Sequence, residues 1–461
     1  MTLTTIITAA ALALGGFAPA TPDTVTTSGG QVRGTTTAEV RSFQGIPYAA
    51  PPVGPLRWRL PQPAAAWTGV RNATTPGSPC PQVSGGNEDC LFLNVHTPRR
   101  TPKPLPVLVY LHGGGFVGGD GASYDPTRLV TKGQVVVVTL NYRLGALGFL
   151  AHPQLGERNF GLADQQAALR WVRRNIAAFG GDAGNVTLWG QSAGAVSTCA
   201  QLSTRGLFDR AIVQSGPCNN PLVTQQVAEQ RGVETTAELG CADVECLRGL
   251  DAKALVGLHQ DQVFTVHRHT AEMPWLPVAG PPSPRRVPLM LGGTKDEMRP
   301  FVAATYPSIT AAQYPTIVGD LYGTDADAVL AAYPVDRYPT PKLALATLLT
   351  DEGGMHGACS QLAVKPAYSY EFAEPTDYAI GDFPYGAAHG TDVAYFFDTP
   401  FGPPLTPAQQ ELADRMIGYW TAFARGGVPW TASTWSLAAG GDGPVDLARE
   451  HRCEFWRQHH G

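Results

Sequence analysis

The sequence predicts an α/β fold: a mostly parallel central sheet with helices on both faces and helical insertions. Three observations carry this. Short segments such as 106–111 and 135–140 are apolar throughout, as strands buried on both faces are. They alternate with stretches whose apolar residues recur at helical spacing, the pattern of a parallel sheet built by crossovers. Residues 186–189 read as one more buried strand, and a Gly-rich turn leads from it directly into a helical pattern over 195–202.

Taken in order, residues 1–20 resemble a secretory signal peptide. Ile6 to Phe17 is almost wholly apolar, and Ala18, Pro19 and Ala20 suit a cleavage site of small residues. The run is shorter than the roughly 20 residues a membrane span needs, so a secreted protein with no stable membrane association is expected. Residues 21–461 then form one large domain. Residues 31–70 are punctuated by Gly and Pro and suggest small antiparallel strands. After the strand at 106–111 comes the Gly-rich run His112, Gly113, Gly114, Gly115, Phe116. A helix is predicted over 161–178, where Leu162, Ala168, Leu169, Val172 and Ile176 share a face. Strands follow at 210–214, 287–291 and 367–372. Residues 221–261 and 315–349 are mainly helical, and Thr406 with Pro407 opens a last long helix ending at Arg425.

Composition narrows the function. The chain has 461 residues, 43% hydrophobic and 15% charged, with a net charge of −5. That suits a folded protein with a large core and gives no basic surface for nucleic acid. The 52 Gly and 40 Pro imply many turns and long ordered loops. The eight Cys show no metal-ligand spacing with His, and their even number suits an oxidising compartment. No metal and no cofactor are expected.

The strand, turn and helix around Gly190, Gln191, Ser192, Ala193 and Gly194 carry the pattern G-x-S-x-G. In this context the sharp turn lifts a serine hydroxyl clear of both flanking elements. The small neighbours Gly190, Ala193 and Gly194 suit a place where strand and helix nearly touch.

The sixteen residues from Phe179 to Gly194 resemble the active-serine signature of the type-B carboxylesterase/lipase family, the cholinesterase-like α/β-hydrolases. The stretch from Glu88 to Val95 resembles a second signature of that family. The resemblance extends from about Gln31 to Trp456. It implies an α/β-hydrolase fold and a serine carboxylesterase working through an acyl-enzyme. It also implies disulfides Cys80–Cys90, Cys241–Cys246 and Cys359–Cys453, and structural ion pairs Arg57–Glu88 and Arg143–Asp164. Cys199 and Cys218 remain. They follow the serine turn and the next strand, neighbouring elements, so a fourth bridge between them is expected.

Ester attack needs an activated hydroxyl, a base, an acid that orients the base, and donors for the oxyanion. Ser192 is the nucleophile. In α/β-hydrolases the acid and then the base follow it along the chain. Two later histidines precede Gly in family-like settings, His356 and His389. His389 lies after the predicted strand 367–372 and, by resemblance, is the base; the stretch around His356 resembles a structural segment that carries a bridging Cys. The acid follows the strand 287–291, where the resemblance selects Glu297 over its neighbour Asp296. Ser215 resembles a serine that helps hold the acid. Gly114, Gly115 and Ala193 are the expected oxyanion donors. The run 112–116 lacks the Gly-Lys-Ser/Thr of a phosphate loop.

Two functional classes fit the fold: a small-molecule ester hydrolase, and a non-catalytic adhesion or scaffold relative. Relatives of the second kind lose a member of the triad, and all three positions are kept here. Cholinesterases carry a Trp between the first two bridged Cys, and family lipases build a lid there. Residues 81–89 contain no aromatic residue and are too short for a flap. A general carboxylesterase is the expectation that remains.

Overall fold

A computed structural model describes residues 23–216, 218, 222–258, 275–279, 287–352, 358–364, 366, 368–400 and 402–459. Its centre is a large twisted sheet. In chain order its strands are β1 (Thr35–Thr36), β2 (Val40–Pro47), β3 (Phe92–Pro98), β4 (Leu105–Leu111), β5 (Val136–Leu140), β6 (Gly181–Gln191), β7 (Arg210–Gln214), β8 (Leu289–Thr294), β9 (Tyr368–Phe372), β10 (Thr434–Leu437) and β11 (Gly443–Pro444). Across the sheet the order is β11-β10-β9-β8-β7-β6-β4-β5-β3-β2-β1. From β5 through β10 every pairing is parallel; the outer strands on both sides are antiparallel.

The continuous apolar runs explain the parallel part. β4, β5 and β8 are buried along their whole length. One face is covered by the helix α2 (Phe160–Asn175) and by α3 (Ala193–Gln201), and the core there includes Val109, Leu111, Val138, Leu188 and Val213. The other face packs Leu108, Val137, Ile212 and Met290 against α7 (Pro407–Ala424) through Leu412, Met416 and Trp420. Thr406 and Gln409 close a capping box at the start of α7, as the Thr-Pro pair predicts. A further cluster lies among the inserted helices, where α5 (Arg299–Thr305) and α6 (Pro341–Glu352) pack with Trp456 near the C-terminus.

The segment 315–349 is more broken than its composition suggests: the helices Tyr314–Tyr322 and Ala326–Ala332 precede α6. In 221–261 the helices Gln225–Glu238, Val244–Gly249 and Ala252–Val256 form, and residues 259–261 lie outside the described ones. β6 is longer than the 186–189 core, and the helix predicted over 161–178 ends at Asn175 with a 3-10 turn beyond it. The N-terminal residues form small strands, Thr24–Thr27 antiparallel to Gly30–Arg33, which in turn pairs parallel with Val70–Asn72. The hairpin Thr376–Ile380 and Phe383–Gly386 was not foreseen.

Four disulfides join Cys80 to Cys90, Cys199 to Cys218, Cys241 to Cys246 and Cys359 to Cys453. Arg143 meets the fully buried Asp164 through two nitrogens, at 2.8 and 2.7 Å, and satisfies its charge. Arg57 pairs with Glu88 at 2.6 and 2.8 Å and also donates to the carbonyls of Leu247, Arg248 and Leu250. No described helix is long and apolar enough to cross a membrane.

Candidate active site

The site is assembled where parallel strands end and loops begin. β6 runs out at Gln191, and α3 starts at Ala193. Ser192 alone turns the chain, with φ 57° and ψ −123°. A non-glycine residue there carries strain of order 1–3 kcal/mol. Its backbone N–H donates to the Gln214 carbonyl at 3.0 Å, which ties the turn to the end of β7. The neighbouring glycines are required by space: a side-chain carbon at Gly190 would strike the Gly194 carbonyl, and one at Gly194 would strike that of Leu111.

That contact also sets the start of α3 against the end of β4 and the loop beyond it. A carbon added at Gly113 would lie 2.9 Å from the Ser192 Cβ, so the Gly-rich loop borders the serine. Val117 and Gly118 both donate to the Gly114 carbonyl at 3.0 Å and curl the loop. The amides of Gly114, Gly115 and Ala193 donate to no protein acceptor among the described residues. Free N–H groups beside a serine hydroxyl can receive a developing oxyanion.

Glu297 and His389 are brought together. Glu297 follows β8 and is fully buried. Its Oε1 meets His389 Nδ1. Its Oε2 accepts from the Thr294 N–H at 2.7 Å, the Thr294 hydroxyl at 2.6 Å and the Ser215 hydroxyl at 3.1 Å. These three donors fix the carboxylate in place. With Nδ1 donating to Glu297, the imidazole Nε2 presents a lone pair, and Gln191 Nε2 lies 3.3 Å from it. The Phe301 ring meets the imidazole edge-on with centroids 5.1 Å apart. The His389 side chain is 13% exposed.

Asp296 does not compete for the histidine: its carboxylate faces the Ala387 N–H and Arg299. His356 lies outside the described residues. Sequence reasoning gave no role to Asp392, three residues beyond His389. It is fully buried, and its carboxyl is pushed up to about 7, first by burial and then by the Glu297 charge, while Gln214 and His389 pull it back. The acidic residue soon after His-Gly was the signal that could have found it.

Elsewhere, Glu371, Glu450 and His451 bring potential metal-ligand atoms close together. Both ring nitrogens of His451 are already engaged, Nδ1 by Asp351 at 2.7 Å and Nε2 by Glu371 at 2.6 Å. That arrangement suits a buried imidazolium and leaves no lone pair for a metal.

Comparison with known proteins gives the family. Residues 21–320 and 350–448 match the model of the carboxylesterase family. The chain is 35% identical to a fumonisin B1 esterase of Sphingopyxis macrogoltabida, over 89% of this chain and 83% of that one. It is 32% identical to a para-nitrobenzyl esterase of Bacillus subtilis, over 88% and 90%, and 32% identical to esterase FE4 of Myzus persicae, over 89% and 85%. A solved structure of a PNB esterase superposes with a TM-score of 0.77 at 30% identity, covering 94% of this chain and 99% of the other.

Proposed function

Because the chain belongs to the carboxylesterase family and is a carboxylic-ester hydrolase, we propose that it works through an acyl-enzyme on Ser192, with His389 as base and Glu297 as the acid that orients it. One observation carries this reading: the buried Glu297 holds His389 by Nδ1, on a loop at the same end of the parallel sheet as the strained Ser192 turn.

The Ser192 oxygen attacks the ester carbonyl carbon while His389 Nε2 takes its proton. The negative charge moves to the carbonyl oxygen, which the amides of Gly114, Gly115 and Ala193 receive. The tetrahedral species collapses, the alcohol leaves with the proton from His389, and the acyl group stays on Ser192. Water then attacks the acyl carbon, again losing a proton to His389, and the carboxylic acid departs as the Ser192 hydroxyl is restored. Glu297 stabilises the imidazolium in both halves and keeps the ring in the tautomer that faces Ser192.

The substrates we infer are short, water-soluble esters. Residues 81–89, closed by Cys80–Cys90, are too few for an amphipathic flap. Gln82 in that loop donates to the Gly119 carbonyl at 3.1 Å and accepts from the Gly119 N–H at 2.9 Å, so the loop is tied down beside the Gly-rich run. Residues 280–286, one other loop that could cover the site, lie outside the described residues. The disulfides fit an oxidising compartment, and we read the protein as secreted.

Rapid quenching with a nitrophenyl ester, followed by peptide mass spectrometry, tests the mechanism. The acyl mass should be found on the peptide that carries Ser192; an adduct on any other residue overturns it.

A further inference from the structure

The acid loop and the histidine loop meet at a second point, beside the Glu297–His389 contact. Asp296 donates its backbone N–H to the Ala387 carbonyl at 2.8 Å. In return, the Ala387 N–H donates to Asp296 Oδ2 at 2.9 Å. The other carboxylate oxygen, Oδ1, meets Arg299 Nη2 at 2.6 Å. Arg299 in turn donates through Nη1 to the Pro384 carbonyl at 3.1 Å. Gly386, between Pro384 and Ala387 in the chain and next to the latter, has φ 63°, and any side-chain carbon there would collide with the Asp296 carboxylate and the Arg299 guanidinium. The glycine is what lets the two loops approach this closely.

We propose that Asp296 is a positioning residue for His389, acting with Arg299 as a clip between the two loops; this rests on the reading of Glu297 and His389 given above. The clip acts through adjacency. Asp296 is bonded to Glu297 in the chain, and Ala387 is two residues from His389. Fixing Asp296 to Ala387 therefore sets the separation of the next pair along. Helix α5 adds a second hold, because Arg299 opens it and Phe301, two residues on, lies against the imidazole. Glu297 by itself could orient the ring, but its loop needs an anchor to the loop it serves. The carboxylate of Asp296 takes a backbone donor and a guanidinium, so it contributes hold and no charge to the reaction.

The test compares Asp296→Ala, Asp296→Asn, Arg299→Gln and His389→Ala on a soluble nitrophenyl ester. Competent sites are counted by stoichiometric labelling with a phosphonate, so that kcat is expressed per site. A misplacement of roughly 1 Å costs about 10²-fold in rate, so Asp296→Ala should lower kcat by about ten- to a hundredfold, with KM within about twofold. Asp296→Asn keeps an oxygen for the Ala387 N–H and should recover kcat to within about fivefold of wild type on the same ground. Arg299→Gln spares that bond and loosens only its outer support, so a several-fold fall in kcat at unchanged KM is expected. This last variant carries the test if Asp296→Ala does not fold. Wild-type kcat in Asp296→Ala or in Arg299→Gln would overturn the clip. So would an Asn variant as poor as the Ala one, or a loss wholly explained by fewer competent sites. His389→Ala separates the two levels: if it is active, the triad reading itself falls, whereas an inactive His389→Ala beside a fully active Asp296→Ala sinks the clip alone.

Discussion

Ser215 Oγ donates to Glu297 Oε2, the oxygen that does not meet His389, at a distance of 3.1 Å. The serine is itself fully buried and adopts φ 54°, so its hydroxyl is aimed by a constrained backbone. Removing it takes away one holder of that oxygen and leaves the two Thr294 bonds in place. A hydrogen bond to a charged group contributes about 1.5–3 kcal/mol, and 1.4 kcal/mol corresponds to about tenfold in rate. Ser215→Ala should therefore lower kcat by about tenfold, at nearly unchanged KM, in initial-rate measurements. An unaffected kcat would remove Ser215 from the catalytic support.

The proposed triad should behave as a unit. Ser192→Ala is expected to lower kcat by about 10⁴-fold or more, and His389→Ala by nearly as much. The double variant should be no worse than the poorer single one. Initial rates, with circular dichroism to verify folding, check this. Losses that multiply in the double variant would mean that the two residues act separately.

His451 makes stability depend on pH. Burial alone would lower its pKa from 6.5, but hydrogen bonds to Asp351 and Glu371, with their charges, raise it to about 9. The folded protein thus binds this proton more tightly than the unfolded chain. The stabilisation is fully present below pH 6.5 and is lost as pH rises through about 9. A shift of this size corresponds to about 3 kcal/mol. The variant His451→Gln should be markedly less stable than wild type at pH 6.5, and the gap should narrow by pH 10. Urea unfolding followed by tryptophan fluorescence at both pH values measures it. A gap of constant size would show that His451 is not a charged clamp.

The pinned 81–89 loop predicts how rate depends on substrate state. With a short triglyceride, the rate should saturate smoothly below the solubility limit and show no jump as emulsion forms. A sharp rise at the appearance of the interface would mean that some other segment acts as a lid.

How much of this was legible follows from distance along the chain. The Ser192 turn could be read locally, because its strand, glycines and helix are consecutive and each has a local steric cause. The parallel sheet was legible from strands such as β4 and β5, whose burial on both faces removes any polar alternation. β10 was not foreseen: Thr434–Leu437 has a partly exposed middle and lies near the sheet edge. The strand ends narrowed the search for the acid and the base, but choosing Glu297 over Asp296 and His389 over His356 took the family resemblance. The contacts that support them are wholly non-local. Asp296 and Ala387 stand 91 residues apart, Gln82 and Gly119 stand 37 apart, and His451 and Asp351 stand 100 apart. No periodicity or motif joins residues at such separations; only the folded sheet does.

The Cys359–Cys453 bridge and the His451 contacts also impose an order in time. Asp351 and Glu371 leave the ribosome well before the histidine that bridges them. Until His451 emerges, the two buried carboxylates have no imidazolium between them. Until Cys453 emerges, Cys359 lacks the partner it has in the folded protein. Lys295, on the acid loop, likewise waits for Glu450, which it meets at 3.1 Å. The corner beside Glu297 thus depends on residues 450–453, far along the chain from the central strands. The surroundings of the acid are therefore complete only once residues 450–453 are in place, and a chain lacking them keeps its serine while leaving that corner open.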